Sequence, residues 1–125
     1  MKRNLLFIAL FFIAVVSKSQ VIEDGVYVIK SSVNPNYVID LSGSQVFNGN
    51  NIQIWERNRT DAQHWIILNK NGYVVIRSYI NSQYTIDLNS SNAVSGENIH
   101  CWEENGTNAQ RWILERVGNV KVMKL

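Results

Sequence analysis

At 125 residues the chain has room for one domain. The formal net charge is +2, but Lys2, Arg3 and Lys18 all lie ahead of residue 20, and the remainder balances nine basic residues against ten acidic ones. No basic face of the kind a nucleic-acid binder keeps is visible, and a single cysteine, Cys101, excludes an intrachain disulfide.

The first nineteen residues read as a secretory signal. Lys2 and Arg3 precede an apolar run from Leu5 to Val16, and Ser17 and Ser19 place small residues ahead of Gln20, where a signal peptidase would cut. The run is shorter than the roughly 20 residues that span a bilayer, so a membrane anchor is the weaker reading. No cysteine lies near the cleavage site to suggest a lipoprotein. Residues 20–125 are therefore expected to be extracellular, or periplasmic in a bacterium, with no membrane association once the signal is removed.

Beyond the signal the chain repeats itself. Residues 25–71 align without a gap on residues 72–118 at a constant offset of 47, with 21 identities. Ile39–Leu41 ("IDL") returns as Ile86–Leu88, and "IQIWERNRTDAQHWI" from Ile52 returns as "IHCWEENGTNAQRWI" from Ile99. All four tryptophans are absorbed by the pairing: Trp55 with Trp102 and Trp65 with Trp112. A third copy begins in "GNVKVMKL", from Gly118 to Leu125, so the expected division is 25–71, 72–118 and the opening of a third repeat at 119–125.

Each repeat alternates short runs of Val, Ile, Tyr and Trp with clusters of Asn, Ser and Gly, the signature of an all-β barrel or sandwich. Strands are expected near Val26–Lys30, Tyr37–Leu41, Ile52–Glu56 and His64–Leu68, and again near Tyr73–Arg77, Tyr84–Leu88, Ile99–Glu103 and Arg111–Glu115. Gly49 and Gly96 sit in the loops between, free to take a positive φ.

Strand side chains alternate between faces. If Ile39, Leu41, Ile52 and Ile54 point to the core, Asp40, Gln53 and Trp55 point away from it and project outward. The second copy repeats the set with Ile86, Leu88, Ile99 and Cys101 inward and Asp87, His100 and Trp102 outward. Trp65 and Trp112 each open an apolar strand and are expected in the core, with Gln63 and Gln110 satisfying backbone groups at the preceding turn. An indole offers a flat apolar face to the C–H groups of a pyranose, while a carboxylate and an amide take its vicinal hydroxyls. The competing reading makes Asp40 and Asp87 turn stabilisers and Trp55 and Trp102 half-buried packing.

The units "YVIDLSGSQVFNGNNIQIWERNRTDAQHW" and "YTIDLNSSNAVSGENIHCWEENGTNAQRW" resemble the repeats of ricin-type β-trefoil lectins, each of which ends in a Gln-any-Trp motif. The resemblance covers nearly all of residues 20–125. It implies an all-β trefoil of the ricin B-lectin type with an incomplete third repeat, and one shallow carbohydrate site per repeat. The site residues it implies are Asp40, Gln53, Trp55, Asp61 and Gln63 in the first repeat and Asp87, His100, Trp102, Asn108 and Gln110 in the second. Galactose-binding members often carry an Asn just before the Gln, where this chain has Ala62 and Ala109, and Asp61 and Asn108 are the nearest substitutes. The expected ligand is thus a galactose-type sugar or another glycan.

Three function classes are compatible with these residues. The first is a secreted carbohydrate-binding protein without enzymatic activity. The second is a protein-binding trefoil, an inhibitor or adhesion module, without sugar affinity. The third, a glycosidase, is disfavoured because Asp40 and Asp87 occupy equivalent places in different repeats and should lie farther apart than the roughly 5–9.5 Å that paired catalytic carboxylates need. No cofactor is expected, and His64 and His100 do not have metal-ligand spacing. Asn58-Arg-Thr, Asn89-Ser-Ser and Asn105-Gly-Thr are glycosylation sequons only in a host with that pathway. Two repeats and one strand leave an open edge, which predicts either a homo-oligomer or a chain that continues into a third repeat.

Overall fold

A computed structural model of the protein describes residues 22–115. The described residues form seven strands and no α-helix: β1 (Gly25–Tyr27), β2 (Tyr37–Leu41), β3 (Ile52–Glu56), β4 (Trp65–Lys70), β5 (Tyr73–Ser78), β6 (Tyr84–Leu88) and β7 (Ile99–Glu103). Four single 3-10 turns, Ser42–Ser44, Asp61–Gln63, Asn89–Ser91 and Asn108–Gln110, stand at matching places in the two repeats. The expected signal segment and the expected third-repeat strand lie outside the described residues.

All pairings are antiparallel. One sheet runs in the order β1-β4-β5-β6-β7, and β2 pairs with β3 in a second sheet. The β4–β5 hairpin joins the repeats in the register Trp65↔Ser78 to Lys70↔Tyr73, closed by a tight turn at Gly72, whose φ of +90° suits a residue without a Cβ. Six of the eight expected strands appear within two residues of their predicted bounds at each end. The strand expected over Val26–Lys30 stops at Tyr27, although Lys30 still bridges to Val38. The one expected over Arg111–Glu115 is reduced to an isolated bridge in which Trp112 and Val74 exchange N–H···O bonds of 2.7 and 3.0 Å. Beyond that bridge Ile113 is 80% exposed, with no described strand beside it to extend the ladder.

The core draws on both repeats, with Ile29 and Ile76, Ile39 and Ile86, Ile52 and Ile99, and Trp65 and Trp112 contributed from matching positions. Leu41, Ile52, Ala62, Trp65, Ile86 and Cys101 form one buried cluster, with Ile29, Ile39, Val46, Ile76, Tyr84, Ile99 and Trp112 packed around it. Trp65 is 1% exposed and Trp112 half-buried. Each indole N–H is satisfied by a backbone carbonyl, Trp65 Nε1 donating to Ile39 O and Trp112 Nε1 to Ile86 O, both at 3.1 Å. The division of the tryptophans into an inner and an outer pair therefore holds, since Trp55 and Trp102 keep 53% and 37% of their surface in solvent.

Two expectations about individual side chains are corrected. Asp40, Asp87 and His100 lie on the face away from the main cluster, yet they do not project into solvent: they are 5%, 6% and 7% exposed. Ile54, expected in the core, is 50% exposed, whereas Cys101 at the equivalent place is 1% exposed. The cause of that difference lies between the repeats. The segment Asn48–Asn51 of the first repeat runs along the outer edge of β7, with Gly49 N–H donating to Cys101 O and Cys101 N–H donating to Asn50 O, both at 2.8 Å. Among the described residues no segment does the same for β3.

Candidate functional site

In the register of β6 and β7, Asp87 stands opposite His100 and Thr85 opposite Trp102, so these four share one face. His100 Nε2 lies 2.8 Å from Asp87 Oδ1, the geometry of a donor when that nitrogen carries the proton. Its ring stacks on that of Trp102, with centroids 5.3 Å apart and planes at 29°. The other carboxylate oxygen is held from below, where Gln110 Nε2 donates to Asp87 Oδ2 at 3.0 Å.

Gln110 is 1% exposed, with both N–H groups of its amide used. Its Nε2 also donates to Glu103 O at 2.9 Å, and its Oε1 accepts from Asn105 N–H at 2.8 Å. One amide thus ties the loop after β7 to the aspartate on β6. The 3-10 turn Asn108–Gln110 delivers it there, closed by Gln110 N–H to Thr107 O.

The first repeat reproduces the arrangement with an amide in place of the imidazole. Gln53 Nε2 donates to Asp40 Oδ1 at 3.1 Å and Gln63 Nε2 to Asp40 Oδ2 at 3.0 Å. Gln63, also 1% exposed, donates to Glu56 O at 2.9 Å and accepts from Asn58 N–H at 2.8 Å. Trp55 follows Gln53 on the same face of β3, opposite Val38. A carboxylate can accept about four hydrogen bonds, so each aspartate, holding two, has lone pairs left for a ligand.

Over the second set lies an open groove of about 340 Å³ lined by Asp87, Asn89, Ser90, Ser91, His100, Trp102, Asn105 and Thr107. Three of the residues expected at this site, Asp87, His100 and Trp102, meet here. Gln110 is beneath the floor, and Asn108 is not in the lining: it lies exposed beside Arg111, whose Nη1 donates to its Oδ1 at 3.5 Å. Asp61, its counterpart, is likewise turned outward, 3.6 Å from His64 Nδ1.

The groove also contains residues that the repeat pattern alone did not single out. Ser90 and Ser91 have φ of +57° and +51°, left-handed values that turn this loop over the aspartate. Asn105 Oδ1 accepts from Thr107 N–H at 3.0 Å and Thr107 Oγ1 at 2.7 Å, which fixes the opposite rim. The same Asn–Thr bonds recur at Asn58 and Thr60. The recurrence of Asn-any-Thr at the 47-residue offset was the available signal.

Ionisation at the site is set by these contacts. Burial, then the negative charge of Asp87, pushes the Cys101 thiol up to about 11, so it is an apolar neutral group behind the site. Glu97, at the edge of the loop, is held below the ordinary carboxylate range by Asn89 Nδ2 and then by the Asn98 N–H.

The family described as "Ricin-type beta-trefoil lectin domain-like" matches residues 15–102 and 61–124, two overlapping spans that cover most of the chain and carry both Asp–Trp sets. The chain belongs to that family. Ricin-type lectin-like domains are in general carbohydrate-binding and non-catalytic modules, often extracellular. Among solved structures, the chain is similar to a designed threefold-symmetric protein, ThreeFoil, with a TM-score of 0.70 and 20% identity over 76% of this chain and 67% of that one. It is equally similar to a mosquitocidal holotoxin, with a TM-score of 0.70 and 24% identity over 80% of this chain but only 12% of the toxin. These likenesses establish the β-trefoil fold. No curated protein matches the chain. Among the described residues no helix is long and apolar enough to cross a membrane.

Proposed function

We propose that this ricin-type domain is a secreted carbohydrate-binding protein without catalytic activity, holding sugars at one shallow site in each repeat. Residues 1–19 would be the secretory signal and residues 20–125 the lectin domain, with 119–125 opening a third repeat. The observation that carries the reading is the aspartate–polar–tryptophan set under the groove, Asp87–His100–Trp102, written again as Asp40–Gln53–Trp55.

Each member has a part. Asp87 and Asp40 accept from two adjacent hydroxyls through their remaining lone pairs. His100 or Gln53 fixes the carboxylate plane. Trp102 or Trp55 stacks on the C–H face of the ring. Gln110 and Gln63 position the aspartates from beneath without touching the sugar, because they are buried and their hydrogen bonds are already used. Asp61 and Asn108 would serve only a ligand large enough to reach past the rim.

Free monosaccharides should bind with dissociation constants on the order of 0.1–10 mM, since water competes at every hydroxyl of an open groove. Multivalent glycans should bind more tightly through effective concentration. A glycan array followed by titration calorimetry tests this. Silence in both would transfer the assignment to the protein-binding class.

A further inference from the structure

The edge of β7 is filled by the first repeat, and the edge of β3 presents the same groups with nothing described against them. Ile39 N–H donates away from β3, to Ile29 O at 2.9 Å, so Ile39 and Ile54 form a pair that exchanges no backbone bonds. The N–H and C=O of Ile54 therefore face the outer edge, as those of Cys101 do where they meet Asn50 and Gly49. Around them lie Ile54 and Trp55, each about half exposed, a patch of apolar surface beside backbone groups that no described residue pairs.

The matching half of the contact is also present, with no described segment against it. Ser95–Asn98 is the copy of Asn48–Asn51, with Gly96 at φ +89° where Gly49 has +93°. Ser95, Gly96 and Asn98 are exposed. The side chain of Glu97 is folded back, its Oε1 accepting from Asn89 Nδ2 at 2.8 Å and Asn98 N–H at 3.0 Å, and so leaves the loop's backbone clear. One period before Asn48–Asn51 the sequence reads "MKRN", which shares none of its small and turn-forming character beyond the final Asn.

We infer that the edge of β3 at Ile54 is a docking site for the Ser95–Asn98 loop of a second copy of this chain. The bonds expected across it repeat those between the two repeats, Gly96 N–H to Ile54 O and Ile54 N–H to Glu97 O. The contact is heterologous, loop to edge, so a pair retains one free edge, on the copy that gave its loop, and one free loop, on the copy that gave its edge. Gly49 of the first repeat lies beside the Trp102 ring of the second, where an added Cβ would stand 4.0 Å from Cζ3. Gly96 of the second copy would lie likewise beside Trp55, at the edge of the Asp40–Gln53–Trp55 set. The contact itself does not depend on sugar binding.

Sedimentation of the full chain tests this with Ile54→Glu, a substitution at a half-exposed position whose fold circular dichroism can verify. The wild type should assemble beyond a monomer as concentration rises, and Ile54→Glu alone should remain monomeric. With the variant in excess, a mixture should form one-to-one pairs, because the Ile54→Glu chain keeps an intact loop with which to cap every wild-type edge. A wild type that stays monomeric, an Ile54→Glu variant that assembles as well as the wild type, or a variant that fails to join wild-type chains would each overturn the inference.

Discussion

Gln63 donates to Asp40 across 23 residues of sequence, Nε2 to Oδ2 at 3.0 Å, and both side chains are buried. A carboxylate that the strand pattern aims outward is thereby held from beneath by the Gln of the Gln-any-Trp motif. Asp40→Ala is expected to cost about 1–3 kcal/mol of stability, because two amide donors lose their acceptor in a buried place. Equilibrium denaturation in urea measures it, and Asp40→Asn, which keeps an acceptor, should lose less. A variant as stable as the wild type would return Asp40 to the outward position that alternation alone suggests.

The two kinds of tryptophan should separate in a thermal melt. Trp65→Ala empties a fully buried site and is expected to destabilise the protein by about 3–5 kcal/mol. Trp55→Ala removes a ring that is 53% exposed and should leave the melting temperature nearly unchanged. Equal losses from both would contradict the packing described for β3.

Binding stoichiometry gives a third check. Calorimetry with a saturating glycan should report two sites per chain, one site in either Trp55→Ala or Trp102→Ala, and none in the double variant. If one variant alone removes all binding, only that repeat holds sugar.

Cys101 should be inert in the native protein. Its thiol is pushed up to about 11 and is 1% exposed, so a thiol reagent near neutral pH should label it only after denaturation. With a raised folded value, the stability that the group contributes is complete below the unfolded value of about 9 and is lost as pH climbs through 11. The loss is on the order of 3 kcal/mol in full. Alkaline denaturation of the wild type should therefore fall off more steeply than that of Cys101→Ala, and coincident slopes would place the thiol in solvent.

Much of this was readable in the residues. The 47-residue period gave the two repeats, and alternation gave which side of each strand faces the main core, so Trp65 and Cys101 are found inside as expected. Alternation cannot say what covers the other side. Asp40 and Asp87 are buried by glutamines 23 residues later, and no local rule reports that distance. Ile54 and Cys101 show the same limit from the opposite direction. They share repeat position and a following Trp, yet differ from 50% to 1% exposure because the Asn48–Asn51 segment covers Cys101 and no described segment covers Ile54. Asn105 and Thr107 reached the groove by a repeated side-chain turn whose spacing was visible but whose direction was not.

Asn98 donates from Nδ2 to Asn51 Oδ1 at 2.8 Å, and these residues are the same position of the two repeats. An amide carries its donor and its acceptor on one side chain, so it is its own complement and can be passed from unit to unit without a change of residue. A carboxylate or an ammonium in that position would meet an identical charge. A duplicated gene therefore needed no second mutation to keep this contact, and any later drift at one asparagine is felt at once by the other. Of the four consecutive residues in the Asn48–Asn51 segment, Gly49 and Asn51 are the two that both copies still share.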